Sequence, residues 1–536
     1  MQANSLTSSR LKAHTASVPE PSEAAETGPN EGDVTVGLVS AVEQRPATVF
    51  AAFSALHLFV WSALPAALYP NLPLDLIEAL TYGREWQLGY DKLPPLPWWL
   101  VETVHRLFGA DLFYYVLAQV AVLIGFACVW AMARRLTSAT GALVALLILD
   151  GLHYVHFTAA KFNHDVIQLP FWALAGYAYW AALRRGRVVH WLLLGFALGI
   201  ALWAKYFVVV LAAPLALFAL VDRDARKCLA TPGPYVATLV ALLIASPHVW
   251  GLVQNDFLPF RYADARAVAS RGWIDHIWHP LQFAIGQFAF MVPALIIAIP
   301  LVLPRGEKAG GAADAFDRRI VTVLAFGPAL TVIALSLVSG RGTIAMWGYP
   351  LWMFLGLWAV LVPGRALDRL RFVKVATTWA IVFAIFAAVF IASYAIMPIY
   401  DGRYRAVFFP GDRLGMELST RFRALTQRPL TYVIGSMWVG GNAAHYSPDH
   451  PRVLIDGRPS RAPWIDLGDM LAKGAAIVWT SGDGDVRVLP PAFRSVAEYA
   501  EVQEPFTLPY RRGAGEVQFG WAVLRPQPAV AGNVPR

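Results

Sequence analysis

The sequence predicts an α-helical protein that crosses a membrane many times and ends in a soluble α/β domain. Three observations predict it. The 536 residues are 57% hydrophobic and only 15% charged, whereas a soluble domain of average usage carries roughly 25% charged residues. Apolar stretches of roughly 18 to 22 residues recur along the chain, each long enough to cross a ~30 Å hydrocarbon core. Beyond Tyr400 the chain changes to polar segments in which Gly and Pro turns separate short β-like runs.

Taken in order, residues 1–45 are rich in Ser, Ala, Glu, Pro and Gly and hold no apolar run that would serve as a signal peptide. They read as a disordered cytoplasmic tail. About eleven spans follow within residues 46–398, near 47–68, 113–133, 140–157, 166–183, 190–204, 206–221, 233–250, 281–303, 320–338, 347–362 and 375–397. The pair around Lys205 also reads as one broken helix. The 20 Trp and 19 Tyr suit aromatic belts at the two interfaces.

Orientation follows from the basic residues. Arg134 and Arg135, then Arg184, Arg185 and Arg187, then Arg223, Arg226 and Lys227 occupy alternate short loops. Arg305, Lys308, Arg318 and Arg319 fill another, and Arg365, Arg369, Arg371 and Lys374 the last. Basic loops stay in the cytoplasm, so loops 69–112, 157–165, 251–280 and 339–346 and residues 399–536 fall outside it. The same dispersal explains the net charge of +8 without nucleic acid. Two cysteines, Cys128 in an apolar stretch and Cys228 in a basic loop, imply no disulfide framework.

The tail offers strands at Thr431–Ile434, Arg452–Ile455, Ala475–Trp479, Val486–Leu489 and Val517–Leu524. Its run from Gly435 to Gly441 lacks dinucleotide-fingerprint spacing and is assigned no phosphate.

The chemistry gathers in the external loops. Asp75 and Glu78, three apart on a short helix, present two carboxylates to one side. Such a pair can divide the work of accepting a proton and tuning the acceptor, although a bare D-x-x-E is more often a solvated pair. Lys92 precedes Pro94 and Pro95 among Tyr90, Trp98 and Trp99, a setting in which a lysine meets a lipid phosphate or simply snorkels to the interface. A second loop, Lys161-Phe-Asn163-His164-Asp165, leads into a span. Asp165 there is either a helix cap or a functional acid, and both readings hold together. Arg261 and Arg271, in the loop 254–280, offer planar forks for phosphate, unless that segment merely lies on the membrane. Lys205 is a further cation near the same face. His153 and His156 lie three apart with Asp150 one turn earlier, a spacing that allows a metal site with Asp165 but more often marks interfacial aromatics. A divalent metal near Asp75, Asp165 and His164 is likewise allowed and not favoured, so no cofactor is expected.

The loop from Asp75 and Glu78 through Lys92-Leu-Pro94-Pro95-Leu, followed by an aromatic-capped span, resembles the GT-C superfamily of polyprenyl-phosphate-sugar glycosyltransferases. Within it the chain is similar to family 39 protein O-mannosyltransferases and the aminoarabinose transferases of lipid A. Trp86-Gln-Leu-Gly-Tyr90, Lys161-Phe-Asn163, Ala204-Lys205-Tyr206, Tyr446-Ser-Pro-Asp-His450-Pro and Pro463-Trp464-Ile-Asp466 look most like rhizobial galacturonosyltransferase-type members. The resemblance implies a GT-C fold and an inverting transferase of the bacterial inner membrane with a periplasmic active site. It implies Asp75, Glu78 and Asp165 as catalytic acids, and Lys92 with Arg261 or Arg271 at the donor phosphate. Tyr90, Lys161, Asn163, His164 and Lys205 are expected to bind substrate. The expected partners are a polyprenyl-phosphate sugar, a glycolipid or protein acceptor and membrane lipids. One residue, Leu93, separates Lys92 from the Pro-Pro, where the aminoarabinose enzymes often have none, and His164 stands where the subgroup more often has a small or neutral residue. The rival readings are a lipid or polysaccharide transporter and a membrane scaffold for the tail. Transporters place functional charges deep within broken spans, whereas the acids here gather in loops.

Overall fold

The structure is a computed structural model and describes residues 31–302, 313–362, 367–513 and 515–527. Arg305, Lys308 and Arg365 lie outside the described residues, as do residues 1–30 of the expected tail. Residues 31–44 correct that expectation, since they form helix α1 (Glu31–Gln44). Glu43 explains why this stretch is held: its carboxylate accepts from the Thr140 N–H at 2.7 Å and hydroxyl at 2.6 Å. It thereby places a negative charge at the first turn of a neighbouring helix, where free N–H groups favour it.

The membrane part continues with α2 (Pro46–Leu68), α3 (Leu74–Gly83), α4 (Leu96–Phe108), α5 (Leu112–Leu136), α6 (Ala139–Asp150), α7 (His164–Arg185) and α8 (Val188–Ala204). Then come α9 (Val209–Val221), α10 (Gly233–Gln254), α11 (Leu258–Arg266), α12 (Asp275–Val302), α13 (Ala315–Ser339), α14 (Leu355–Leu361), α15 (Arg369–Ile391) and α16 (Met397–Asp401). Among the described residues, seven helices are long and apolar enough to cross a bilayer: α2, α5, α7, α10, α12, α13 and α15 continued to Asp401. The chain is thus a multi-pass membrane protein. Of the other four expected spans, α6, α8 and the segment Tyr206–Val221 are shorter apolar helices. The fourth, 347–362, is a 3-10 turn at Ala345–Gly348 followed by the seven-residue α14. Pro350 between them lacks an N–H and disfavours a helical residue before it.

Two loop helices, α3 and α4, lie between α2 and α5 where the sequence suggested one short helix. The α8–α10 contact relies on small residues, as membrane helices commonly do. A Cβ on Gly195 would stand 2.4 Å from the Ala237 carbonyl oxygen.

The soluble part comprises strands β1 (Tyr432–Gly435), β2 (Arg452–Ile455), β3 (Ala475–Thr480), β4 (Glu501–Val502), β5 (Phe506–Pro509) and β6 (Glu516–Leu524). Its helices are α17 (Gly411–Thr426), α18 (Met437–Tyr446), α19 (Leu467–Lys473) and α20 (Pro491–Arg494). Strand order is β2-β1-β3-β6-β4, with β5 also on β6; β1 runs parallel to β2 and β3, and β6 antiparallel to β3. Alternation divides the core in two. Val433, Val478 and Phe519 face Leu414, Leu418 and Phe422 of α17, while Ile434, Ile477 and Trp479 pack with Met470 and Phe493. The expected strand Val486–Leu489 is a turn instead, because the Asp485 carboxylate accepts the Arg487 N–H at 2.9 Å. The short β4 and β5 escaped the pattern, since Pro505 lies between them and Pro509 ends β5.

The tail packs on the first loop. Helix α18 lies against α3, and a Cβ on Gly441 would stand 2.7 Å from Ile77 Cγ2, so only glycine permits this approach. The Leu72 N–H donates to Tyr446 Oη at 3.0 Å, Arg452 pairs with Glu85 at 2.5 Å, and Arg461 pairs with Asp91 at 2.8 Å.

Candidate active site

Pro73 precedes helix α3, and its extended backbone turns the chain in without a side-chain cap. Leu76, Ile77 and Leu80 are buried, which fixes the roll of the helix and leaves Asp75 at the rim, with its side chain 30% exposed. Glu78 points inward, 7% exposed, and its carboxylate meets Lys92 Nζ at 2.5 Å.

The loop before α7 supplies the facing wall. Asn163 caps that helix, its Oδ1 accepting from the Asp165 and Val166 N–H groups, both at 3.0 Å. Its amide nitrogen donates to Asp75 Oδ2 at 2.9 Å, and Lys161 Nζ lies 3.2 Å from the same oxygen. Asp165 Oδ1 in turn meets Lys205 Nζ at 2.5 Å. Lys205 itself is extended and breaks the chain between α8 and α9. Two loops and a helix end therefore bring three carboxylate–lysine pairs to one face: Asp75–Lys161, Glu78–Lys92 and Asp165–Lys205. Asn163 ties the first to the third, beside the partly positive N-terminus of α7.

The environment drives the two acids of α3 apart. Burial pushes the Asp75 carboxyl up, but Lys161 and the Asn163 amide outweigh it and hold it below its ordinary value. Burial likewise pushes Glu78 up; Lys92 opposes, Asp75 and Asp91 add to the rise, and the net lies above the ordinary value. Burial disfavours the Lys92 ammonium, yet Glu78 beside it raises it overall. Asp75 is thus the ionised acid and Glu78 the one nearer to taking a proton, a division that suits two carboxyls in one site.

Tyr90 and His164, expected to meet substrate, are placed as supports. Tyr90 is fully buried, and its hydroxyl donates to the Tyr82 carbonyl at 2.9 Å and accepts from the Gln87 N–H at 3.0 Å. His164 is buried, with Nε2 2.9 Å from the Pro94 carbonyl and its ring edge-on to Trp98. It fixes the Pro-Pro segment that carries Lys92. His164 is turned away and each carboxylate faces a lysine, so this donor set does not suit a divalent cation.

Arg261 and Arg271 separate. Arg261, on α11, lines a cavity of about 390 Å³ with Asp91, Tyr262, Arg458, Ser460 and Arg461. Lys92 Nζ lies 5.3 Å from the centre of the Tyr262 ring, so this cavity adjoins the Glu78–Lys92 pair. Arg271 is exposed, its backbone N–H bonded to Asp275 at 2.6 Å, and no described contact links it to Lys92. A second cavity, about 420 Å³, lies on the other side of α3. Its three arginines are already partnered, Arg84 with the His450 and Pro451 carbonyls, Arg106 with Glu102 and Arg452 with Glu85. The sequence reading overlooked Tyr262 and Trp347, whose ring Lys205 overhangs at 5.7 Å, as well as Arg461. Only Tyr262 had a local signal, since it adjoins Arg261.

Fold and site together define a multi-pass membrane protein with an acidic, lysine-paired site and a C-terminal sheet domain packed on the loop that carries it. A family profile described as dolichyl-phosphate-mannose-protein mannosyltransferase matches residues 92–250. The chain is 26% identical over 233 residues to the lipid A galacturonosyltransferase RgtD of Rhizobium johnstonii, covering 42% of this chain and 48% of that protein, about half its length. It is 25% identical to the lipopolysaccharide core galacturonosyltransferase RgtA of the same organism, covering 89% of this chain and 97% of RgtA. The crystal structure of ArnT from Cupriavidus metallidurans bound to undecaprenyl phosphate superposes with a TM-score of 0.55 at 14% identity, over 89% of this chain and 98% of that one. The chain thus shares the fold of ArnT and is similar in sequence to the rhizobial galacturonosyltransferases and the aminoarabinose transferases.

Proposed function

We propose that the chain transfers a sugar from a polyprenyl-phosphate donor to lipopolysaccharide, with inversion, and that Asp75 is its general base. The chain is a polyprenyl-phosphate-sugar-dependent glycosyltransferase. What carries the reading is the junction of two loops at Asn163, which sets an ionised Asp75 beside the Glu78–Lys92 pair. The names of the relatives, lipid A and core galacturonosyltransferases, support a uronosyl or hexosyl donor and a lipid A or core acceptor.

In the proposed reaction the acceptor hydroxyl attacks the anomeric carbon from the side opposite the phosphate. The new C–O bond forms as the bond from carbon to phosphate oxygen breaks, and the hydroxyl proton passes to Asp75. A carboxylate held below its ordinary value suits this step, because the hydroxyl becomes acidic only as the bond forms. Lys92 receives the departing phosphate's charge. Glu78 lets it do so: its raised carboxyl can take a proton and yield Lys92 to the phosphate. Asp165 with Lys205 orients the sugar beside Asp75, and Lys161 holds Asp75 in place. Arg261 meets an anionic group of donor or acceptor in the adjoining cavity. The proposed steps are assigned to side chains of this chain alone. The distribution of basic loops supports an inner-membrane location, a cytoplasmic N-terminus, and a periplasmic site and tail.

The test uses the full chain in lipid nanodiscs with undecaprenyl-phosphate-linked galacturonic acid and lipid A, read by mass spectrometry. A galacturonate mass added by the wild type, and lost in Asp75→Asn, is expected. Full transfer by Asp75→Asn would refute the role of Asp75. No transfer with any polyprenyl-phosphate sugar, to lipid A or core, would refute the function.

A further inference from the structure

The membrane part buries a second polar group that the transfer reaction does not use. His57 is the central residue of α2, Asp150 ends α6, and His156 follows one short turn later. His57, Asp150 and His156 side chains are at most 1% exposed. His57 Nδ1 lies 2.8 Å, and His156 Nε2 3.1 Å, from Asp150 Oδ1. All three atoms fall within 4.8 Å of one another, the one such group of His, Cys, Asp or Glu atoms among the described residues. Both imidazoles are directed at that one carboxylate oxygen as ion pairs, and by strict donor geometry none of the three atoms has a hydrogen-bond partner.

The proton on His57 can be located. Gln119 Nε2 donates to the Ala159 carbonyl at 3.1 Å, which turns Gln119 Oε1 toward His57 Nε2, also at 3.1 Å. An amide oxygen only accepts, so His57 Nε2 carries the hydrogen and Nδ1 of the neutral ring keeps its lone pair. That lone pair faces a carboxylate oxygen at 2.8 Å, a clash of two acceptors unless a cation lies between them. A proton serves only one imidazole at a time against the single oxygen that both His57 and His156 face, whereas one ion can be bound by all three atoms together. A ligating histidine typically donates its other ring N–H to an oxygen, which is what Gln119 accepts here. The second oxygen of Asp150 is held by Trp379 Nε1 at 2.6 Å.

We propose that His57 Nδ1, Asp150 Oδ1 and His156 Nε2 bind one divalent transition-metal ion, with zinc the best match to two imidazoles and a carboxylate. The site is structural. The Trp61 and Phe386 rings lie tilted against the His156 ring, with centroids 5.1 and 4.7 Å away, and the ligands are fully buried, which leaves substrates no approach. The ion fastens α2 to the turn after α6, and five residues beyond His156 that turn delivers Lys161 and then Asn163 to the active site.

The test is metal analysis of the full-length protein, purified without a polyhistidine tag or chelator from zinc-supplemented cells. About one equivalent of zinc per chain is expected. His156→Gln should fall below about 0.1 equivalent, while the double variant His276→Gln and His279→Gln keeps the wild-type content. Chelation should lower the Tm of the wild type and added zinc should restore it. Metal-free wild type, or wild-type zinc content in His156→Gln, overturns the site and leaves a proton-held cluster. Should His156→Gln fail to accumulate, zinc-edge absorption of the wild type decides. Two imidazoles with one carboxylate support the site, and a thiolate shell, pointing to Cys128 or Cys228, overturns it. None of these readouts depends on transferase activity.

Discussion

Asn163 has two separable tasks, and substitutions there test the catalytic reading most sharply. Its carbonyl oxygen caps α7 and its amide N–H holds Asp75 at 2.9 Å. Ser ranks with Asn as a helix cap, so Asn163→Ser keeps the cap and removes the link to Asp75. A hydrogen bond to a charged acceptor contributes about 1.5–3 kcal/mol. At about 1.36 kcal/mol per tenfold, kcat/KM should fall about 10- to 160-fold if the bond serves wholly to orient the base. The Tm should barely move. Asn163→Asp also caps well but sets a second carboxylate against Asp75, and a like charge raises a carboxyl's pKa. Asp75 in the wild type lies below its ordinary value, so its ionisation leaves activity flat through neutral pH. In Asn163→Asp the acid limb moves upward, and the lost rate returns as pH rises. Asn163→Ser should show no such return. The assay is kcat/KM for transfer from about pH 5 to about pH 9, with Tm measured in parallel. Wild-type kcat/KM in a stable Asn163→Ser protein, or superimposable pH profiles for the two variants, would refute the positioning argument.

Further expectations concern the other pairs and the docked tail. Lys92→Met should raise KM for the donor, and it should cost less stability than Glu78→Gln. Glu78, raised by burial, can shed its charge when Lys92 is gone, whereas Lys92 left alone keeps its own; for Glu78→Gln we expect about 1–3 kcal/mol, between exposed and buried pairs, measured by thermal unfolding of both variants. Gly441→Val should cost about 1–3 kcal/mol through overpacking against Ile77 and Thr81, and limited proteolysis should then release the tail. Burial pushes His445 down to about 3 from an ordinary 6.5. Its folded value lies below the unfolded one, so its contribution is full above pH 6.5 and lost as pH falls, by at most about 1.4 kcal/mol per unit. The Tm measured from neutral pH to about pH 5 should fall in the wild type and fall less steeply in His445→Gln.

The parts of this protein legible in its sequence are those encoded locally. Spans announce themselves by length and composition, and the strands 432–435, 452–455, 475–480 and 516–524 as short β-like runs between Gly and Pro turns. Asp75, Glu78 and Lys92 stood out because acids and a lysine are conspicuous in an aromatic loop. Their facing partners Lys161, Asn163 and Asp165 stood out as polar residues at the mouth of a span. The failures are non-local. Tyr90 looked like a ligand because it is aromatic and sits in a loop, yet its hydroxyl is spent on Tyr82 and Gln87. His156 was noticed beside His153, which instead packs on Phe290. Its acid is Asp150, which the spacing placed nearby, but the second imidazole on that carboxylate is His57, on another helix 99 residues away, which no spacing rule could reach. The span near 347–362 was apolar enough, but Pro350 and the turn before it prevent one continuous helix.

The break in composition near residue 399 marks a change of solvent rather than a change of task. Asp91 lies next to Lys92, and its carboxylate is bound by Arg461 of the tail and by Tyr82 Oη at 2.7 Å. Arg461 also reaches Asp456, so the lysine's backbone is anchored through the tail's own ion pairs. Helix α18 presses on the helix that carries Asp75 and Glu78, and Tyr446 takes the N–H of Leu72 just ahead of it. A short helix of ten residues gains little from its own hydrogen bonds in water, and α3 has no side-chain cap. Most of what holds its two acids at fixed separation from Lys92 and Asn163 must therefore come from packing, and α18 supplies one whole side of that packing. The tail is a wall of the site, built from residues more than 300 positions downstream of the acids it positions.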